Sequence, residues 1–94
     1  MIRRARVDGN QKAIVAELRA KGLSVLHTHQ LKNCFDILVG VAGKNFAFEI
    51  KDPTQPPSKR KLTEGEQNFF DNWNGQVDVA ETAEEIITLI KTKL

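Results

Sequence analysis

Asp36 and the tripeptide Glu49-Ile50-Lys51 are the residues of this chain best suited to chemistry. Two carboxylates and an ammonium group on one surface can hold a divalent cation and activate a water. A hard cation such as Mg2+ takes a few carboxylate oxygens, keeps several waters and acidifies one of them. Hydrolysis of a phosphodiester needs both effects: charge neutralised at the phosphate, and a nucleophilic water at neutral pH. In this reading Asp36 and Glu49 are the metal ligands and the Ile50 main-chain carbonyl is a third oxygen. Lys51 orients the water, lowers its pKa or contacts the phosphate.

A β-hairpin must place these groups. Phe35 to Val41 and Phe46 to Lys51 have strand composition, and Gly43-Lys44 suits a two-residue type II′ turn between them. That turn pairs Val41 with Phe46, Val39 with Phe48, Ile37 with Ile50, Leu38 with Glu49 and Asp36 with Lys51. Side chains alternate across a strand, so Phe35, Ile37, Val39, Val41, Phe46, Phe48 and Ile50 form one apolar face. Asp36, Glu49 and Lys51 share the other. The plain alternative is a solvated hairpin face carrying an Asp36–Lys51 cross-strand pair.

The 94 residues suffice for one domain spanning 1–94, with a small core. Hydrophobic residues at 40% and charged residues at 28% fit a soluble globular protein and exclude a low-complexity chain. No apolar run is long enough to cross a bilayer, so no membrane partner is expected. Met1 to Arg6 is basic with no apolar stretch behind it, so no signal peptide is expected. The single cysteine, Cys34, rules out an internal disulfide and fits a reducing cytoplasm. A net charge of +2 does not by itself argue for nucleic acid, but Arg3, Arg4 and Arg6 cluster at the start and Lys59-Arg60-Lys61 in a loop.

A first helix is expected from about Gly9 to Lys21, with Asp8 and Gln11 at capping-box spacing and Gly22 as its stop. Leu23 to His29 reads as a strand. All three prolines fall between Asp52 and Leu62, which marks a stiffened, non-helical loop. Thr63 and Glu66 open a second helix bearing Phe69, Phe70 and Trp73, ended by Gly75. Gln76 to Ala80 reads as a short strand. Thr82 and Glu85 open a last helix whose stripe is Ile86, Ile87, Ile90 and Leu94. The order is α-β-β-β-α-β-α, an α/β chain.

The acid before a hairpin, Glu-x-Lys at the end of its second strand and this element order resemble the PD-(D/E)XK nuclease superfamily. Phe35-Asp36 stands where Pro-Asp is commonest; Glu49-Ile50-Lys51 matches unaltered. The chain looks most like the small phage and bacterial VRR-NUC-type nucleases and the archaeal-type Holliday junction resolvases. Asn10-Gln11, Lys51-Asp52 followed by Pro-Pro-Ser-Lys-Arg-Lys-Leu-Thr, Gln67 and Trp73-x-Gly75 carry that likeness, which covers nearly the whole chain. It implies a restriction-endonuclease-like αβββαβ core with a mixed central sheet flanked by helices. It also implies an Mg2+- or Mn2+-dependent endonuclease acting on DNA, branched DNA in particular, as a homodimer in the cytoplasm of a bacterial or phage-infected cell. The other reading is a catalytically weak or inactive DNA-binding module on the same fold.

Many such proteins carry a Glu in the first helix where this chain has Gln11. An amide still binds through its oxygen but adds no charge; the other reading of Gln11 is a capping residue. Lys59, Arg60 and Lys61, on a proline-stiffened loop beside the Glu-x-Lys strand, read as phosphate contacts, the plain alternative being charges that keep a loop soluble. Gln67 is a phosphate contact or an exposed helix residue. Arg3, Arg4 and Arg6, within residues 1–7, form a DNA-contacting arm or a disordered tail. His27 and His29 share one strand face, and with no cysteine or further histidine at zinc spacing they read as edge or surface positions. Cys34 reads as a small buried hydrophobe rather than a nucleophile.

Overall fold

The computed structural model describes residues 9–31 and 34–94. Its elements are α1 (Gln11–Ala20), β1 (Ser24–His27), β2 (Ile37–Val41), β3 (Lys44–Ile50), α2 (Glu64–Asn72), β4 (Val77–Ala80) and α3 (Ala83–Lys91). One turn of 3-10 helix, Pro57–Lys59, lies inside the proline-rich loop, with proline at its first position where the missing N–H costs nothing. The loop therefore contains helical structure, against the sequence expectation. Among the described residues a four-stranded sheet runs β1-β2-β3-β4. β1, β2 and β3 pair antiparallel, and β4 joins β3 in parallel. The parallel pair needs a long crossover, and the proline loop and α2 supply it.

The apolar face expected from alternation is the core. Ile37 and Val39 of β2 and Phe46, Phe48 and Ile50 of β3 pack against Ile14, Val15 and Leu18 of α1 and Ala83, Ile86 and Ile90 of α3. Two expected members are elsewhere. Phe35 precedes β2 and joins Phe69 and Trp73, with ring centroids 5.9 and 6.2 Å away. Leu94 lies beyond α3 and is exposed. The opposite face carries a row of register partners, Leu26, Leu38, Ala47 and Val77, one from each strand.

The helix ends follow their local chemistry. Past α1, the Gly22 N–H donates to Arg19 O and the Leu23 N–H to Leu18 O, with Gly22 at φ +89°. This double bond pattern closes a helix on a left-handed residue, and Leu18 and Leu23 both pack at the core. α1 starts later than expected: Asn10 is its N-cap and Gln11 its first residue. Gln11 is thus not at the third helical position, and the Asp8 half of the expected capping box lies outside the described residues. Thr63 and Glu66 form the full reciprocal box of α2. At α3, Thr82 accepts from the Glu85 N–H, but Glu85 reaches Glu81 N rather than the cap.

The hairpin turn is Ala42-Gly43, not Gly43-Lys44. Val41 pairs with Lys44, Val39 with Phe46 and Ile37 with Phe48, two residues from the expected register. Ala42 and Gly43 have φ of 53° and 75°, as a type I′ turn requires. A shift of two preserves which face each side chain takes, so the sorting of faces stands. It brings Asp36 beside Glu49 instead of Lys51. Ala42 is exposed and left-handed, where a Cβ is disfavoured. Ala42→Asn is expected to raise stability by about 0.5–1 kcal/mol, read as a higher urea midpoint at unchanged slope.

Candidate active site

β2 and β3 position the two acids through backbone hydrogen bonds. The Asp36 N–H donates to Phe48 O at 2.9 Å, and Asp36 Oδ2 accepts the Ile50 N–H at 2.7 Å. The residues bonded to Asp36 flank Glu49 on either side, so the two carboxylates are neighbours. Ile50 therefore acts on Asp36 through its N–H, a contribution invisible in the three-letter motif. Its side chain is wholly buried in the core.

Glu49 and Lys51 are buried, at 3% and 7% exposure, which is unusual for charged residues. Lys51 Nζ lies 3.3 Å from Glu49 Oε2 and 3.1 Å from Glu66 Oε1. Glu66 is the functional candidate that sequence reasoning misses. Its capping-box spacing is visible, but only as a helix start. One oxygen, Glu66 Oε1, accepts from both the Thr63 N–H and Lys51, so the cap that starts α2 also holds the lysine.

Burial, a hydrogen bond to Glu66 and the nearby Asp36 charge push the Glu49 carboxyl up to about 9, against the smaller pull of Lys51. The Glu49–Glu66 pair therefore shares a proton at neutral pH, held toward Glu49, and one negative charge beside Lys51. Burial raises Glu66 too, but bonds from Glu49, the Thr63 N–H and Lys51 outweigh it and hold that carboxyl below its usual range. Burial alone would lower Lys51, yet Glu66 and Glu49 keep it raised and charged. Among the described residues no donor reaches Glu49 Oε1, which is buried. An orphaned buried carboxyl oxygen is costly without a partner. A cation beside Asp36 and Glu49 would supply that partner and remove the repulsion between the two acids, so the donor set fits one. Among the described residues no three of His, Cys, Asp and Glu are grouped to hold a metal ion. A cation here would rest on two carboxylates and water, as Mg2+ accepts.

The other expected site residues divide. Gln11 is 1% exposed, and its Nε2 donates to His27 Nδ1 at 3.1 Å and contacts His29 Nδ1 at 3.5 Å. It lies on the face of β1 that follows Ile37, the core face, not the face of Glu49. Its neighbour Asn10 reaches the site instead, donating to Lys51 O at 3.1 Å and Glu81 O at 2.9 Å. Lys59 and Lys61 are exposed on the loop that leaves Lys51. Arg60 is half-buried and turned to Glu81, 3.6 Å away, so it faces a carboxylate of its own chain. Gln67 is exposed and donates to Asp71 one turn on, which is the plain helix reading. Arg3, Arg4 and Arg6 lie outside the described residues. Burial pushes the half-buried Cys34 thiol up, away from the thiolate a nucleophile needs.

Among the described residues no helix is long and apolar enough to cross a membrane. Compared with known proteins, the chain matches no protein-family model, no curated protein and no solved structure.

Proposed function

We propose that the chain is a divalent-metal-dependent DNA endonuclease with its site at Asp36, Glu49 and Lys51. The observation that carries the proposal is the buried Glu49–Lys51 pair beside the half-buried Asp36, on the sheet face opposite the core, with Glu49 Oε1 reached by no donor among the described residues. Asp36 and Glu49 hold Mg2+ or Mn2+, with the Ile50 carbonyl assisting. The bound cation would neutralise the scissile phosphate and acidify a water. Lys51, kept charged by Glu49 and Glu66, is placed to orient the nucleophile and offset developing negative charge. Lys59 and Lys61 track the DNA backbone beside the site. The resemblance to the resolvase-like nucleases makes branched DNA the substrate and a homodimer the working unit.

The test is cleavage of linear, flapped and four-way DNA by the purified chain with Mg2+ or Mn2+. Lys51→Ala and Glu49→Ala are each expected to lower the rate by about 100-fold or more. Full activity in both variants would remove the site assignment.

A catalytically inactive DNA-binding module is the second reading. The position of Gln11 favours it, because the first helix adds no third carboxylate to the acid pair. Tight, salt-sensitive DNA binding with no cleavage at any divalent metal would select it.

A further inference from the structure

His27 and His29 meet a third side chain that their spacing in sequence does not reveal. The Nδ1 atoms of both rings point at one atom, the Gln11 amide nitrogen, at 3.1 and 3.5 Å. With the amide in this orientation His27 presents an Nδ1 lone pair, the ligand form of histidine. His29 faces an amide nitrogen at both ring positions, Gln11 at Nδ1 and Gln30 at Nε2 at 3.3 Å, and only one of its two nitrogens can accept. The amide fills the place where a cation would sit. Its own Oε1 is buried, and among the described residues no donor reaches it. Which end of an amide faces its partners is assigned from the hydrogen bonds around it. A half-turn of the amide puts the unpartnered oxygen between the two nitrogens and makes three donor atoms converge. The three residues line an open pocket of about 270 Å3 with Val15, Ala16 and Arg19, so an ion and a water have access.

We propose that Gln11, His27 and His29 form a second metal site, separate from Asp36 and Glu49, for a nitrogen-preferring dication of the Zn2+, Co2+ and Ni2+ class. Two imidazoles suit such ions and not Mg2+, which needs carboxylate charge. Lys12 and Arg19 line the same pocket and repel any dication, so an ion there must be held by nitrogen donation rather than by charge. Arg19 is partly committed, donating from Nη2 to Val25 O at 2.9 Å. Metal–nitrogen bonds of about 2.1 Å require each ring to close by roughly 1 Å. His27 is exposed and His29 lies in the turn after β1, so neither is locked by core packing. The site does not depend on nuclease activity: it uses different residues on the other face of the sheet.

The experiment is titration of Zn2+ and Co2+ into the full chain carrying Glu49→Gln, which silences the acidic site. Calorimetry and the Co2+ visible spectrum are the readouts. One equivalent is expected to bind with the absorption of nitrogen-ligated Co2+. His27→Ala and His29→Ala should each weaken binding by about tenfold or more, and Gln11→Ala by less. No binding below millimolar metal, or undiminished binding in both histidine variants, overturns the proposal. Should a variant fail to fold, 15N NMR of the wild-type imidazoles decides. Zn2+ must perturb both Nδ1 resonances; a response confined to Nε2 overturns the site.

Discussion

Glu49→Gln is expected to abolish cleavage while making the metal-free protein more stable than wild type at pH 8. The two effects have one cause. The Glu49 carboxyl titrates at about 9 in the folded chain against an ordinary 4.5. Between those values the native state holds a proton that the unfolded chain has released. Stability from this group is therefore full below about pH 4.5 and is lost progressively as pH rises toward 9. Glu66 moves the other way, but its contribution is already complete above its ordinary 4.5 and is lost only at lower pH, so it adds no slope in this window. A net decline of on the order of a few kcal/mol is expected between pH 5 and pH 8.5 in wild type, since a tenfold change in proton affinity is worth about 1.4 kcal/mol. The glutamine of the variant carries no proton to lose, so its stability curve should be nearly flat there. Urea midpoints of both proteins across that range are the measurement, and parallel curves would remove the explanation. Mg2+ at pH 8 should raise the wild-type midpoint and leave the variant unchanged, because a ligand stabilises only the state that binds it. Cation binding must expel the Glu49 proton. Apparent affinity should therefore climb roughly tenfold per pH unit until about pH 9.

Phe48→Ala is expected to cost about 3–5 kcal/mol, a large share of the roughly 5–15 kcal/mol that holds a domain of this kind together. Phe48 is 1% exposed and sits in the middle of β3, between both core helices and the sheet. Its truncation removes apolar contact and leaves a void in the cluster that also holds Leu18, Ile37 and Ile86, all fully buried, and a close-packed core fills such a void only in part. The Phe48 carbonyl also receives the Asp36 N–H, so loosening this strand displaces the first acid. Activity and stability should fall together, as they should not in Glu49→Gln. Phe48→Leu, closer in volume, should lose about 1–1.5 kcal/mol and keep cleavage. Leu26→Ala is the control: Leu26 is 60% exposed on the open sheet face, and the change should fall within about 0.5 kcal/mol. Denaturation midpoints at constant slope decide all three.

The faces of the hairpin are legible in sequence because they depend only on parity. Asp36 and Glu49 fall together for any even shift of register, so a turn misplaced by two leaves that conclusion intact. The turn itself is hard to read because Gly43 suits both positions, and an alanine at φ 53° is not a residue one would choose there. Glu66 is visible as a cap but not as a partner of Lys51, since the meeting depends on how the proline loop folds α2 back over β3. That path includes a 3-10 turn no periodicity announces. The expectation for Gln11 rests on analogy with a helix carboxylate. What decides its position is the start of α1 at Gln11, which points its first side chain at β1. Phe35 shows the limit of alternation: two residues before the paired strand, it follows the aromatic group at α2.

Asn10 carries a consequence for how the chain folds rather than how it works. Its amide bridges carbonyls 41 and 71 residues away, at the end of β3 and just before α3. The full bridge cannot form until the β3–β4 crossover has brought Glu81 beside Lys51, because closing long loops early costs chain entropy with little return. The seam they make belongs to the late side of the folding barrier. Weakening it should speed unfolding and leave the folding rate nearly untouched. Lys51 sits on that seam through its carbonyl, so opening of the domain is expected to begin beside the acid pair. Amide hydrogen exchange at the end of β3 is then expected to outpace exchange at its centre, where Phe46 and Phe48 anchor the sheet.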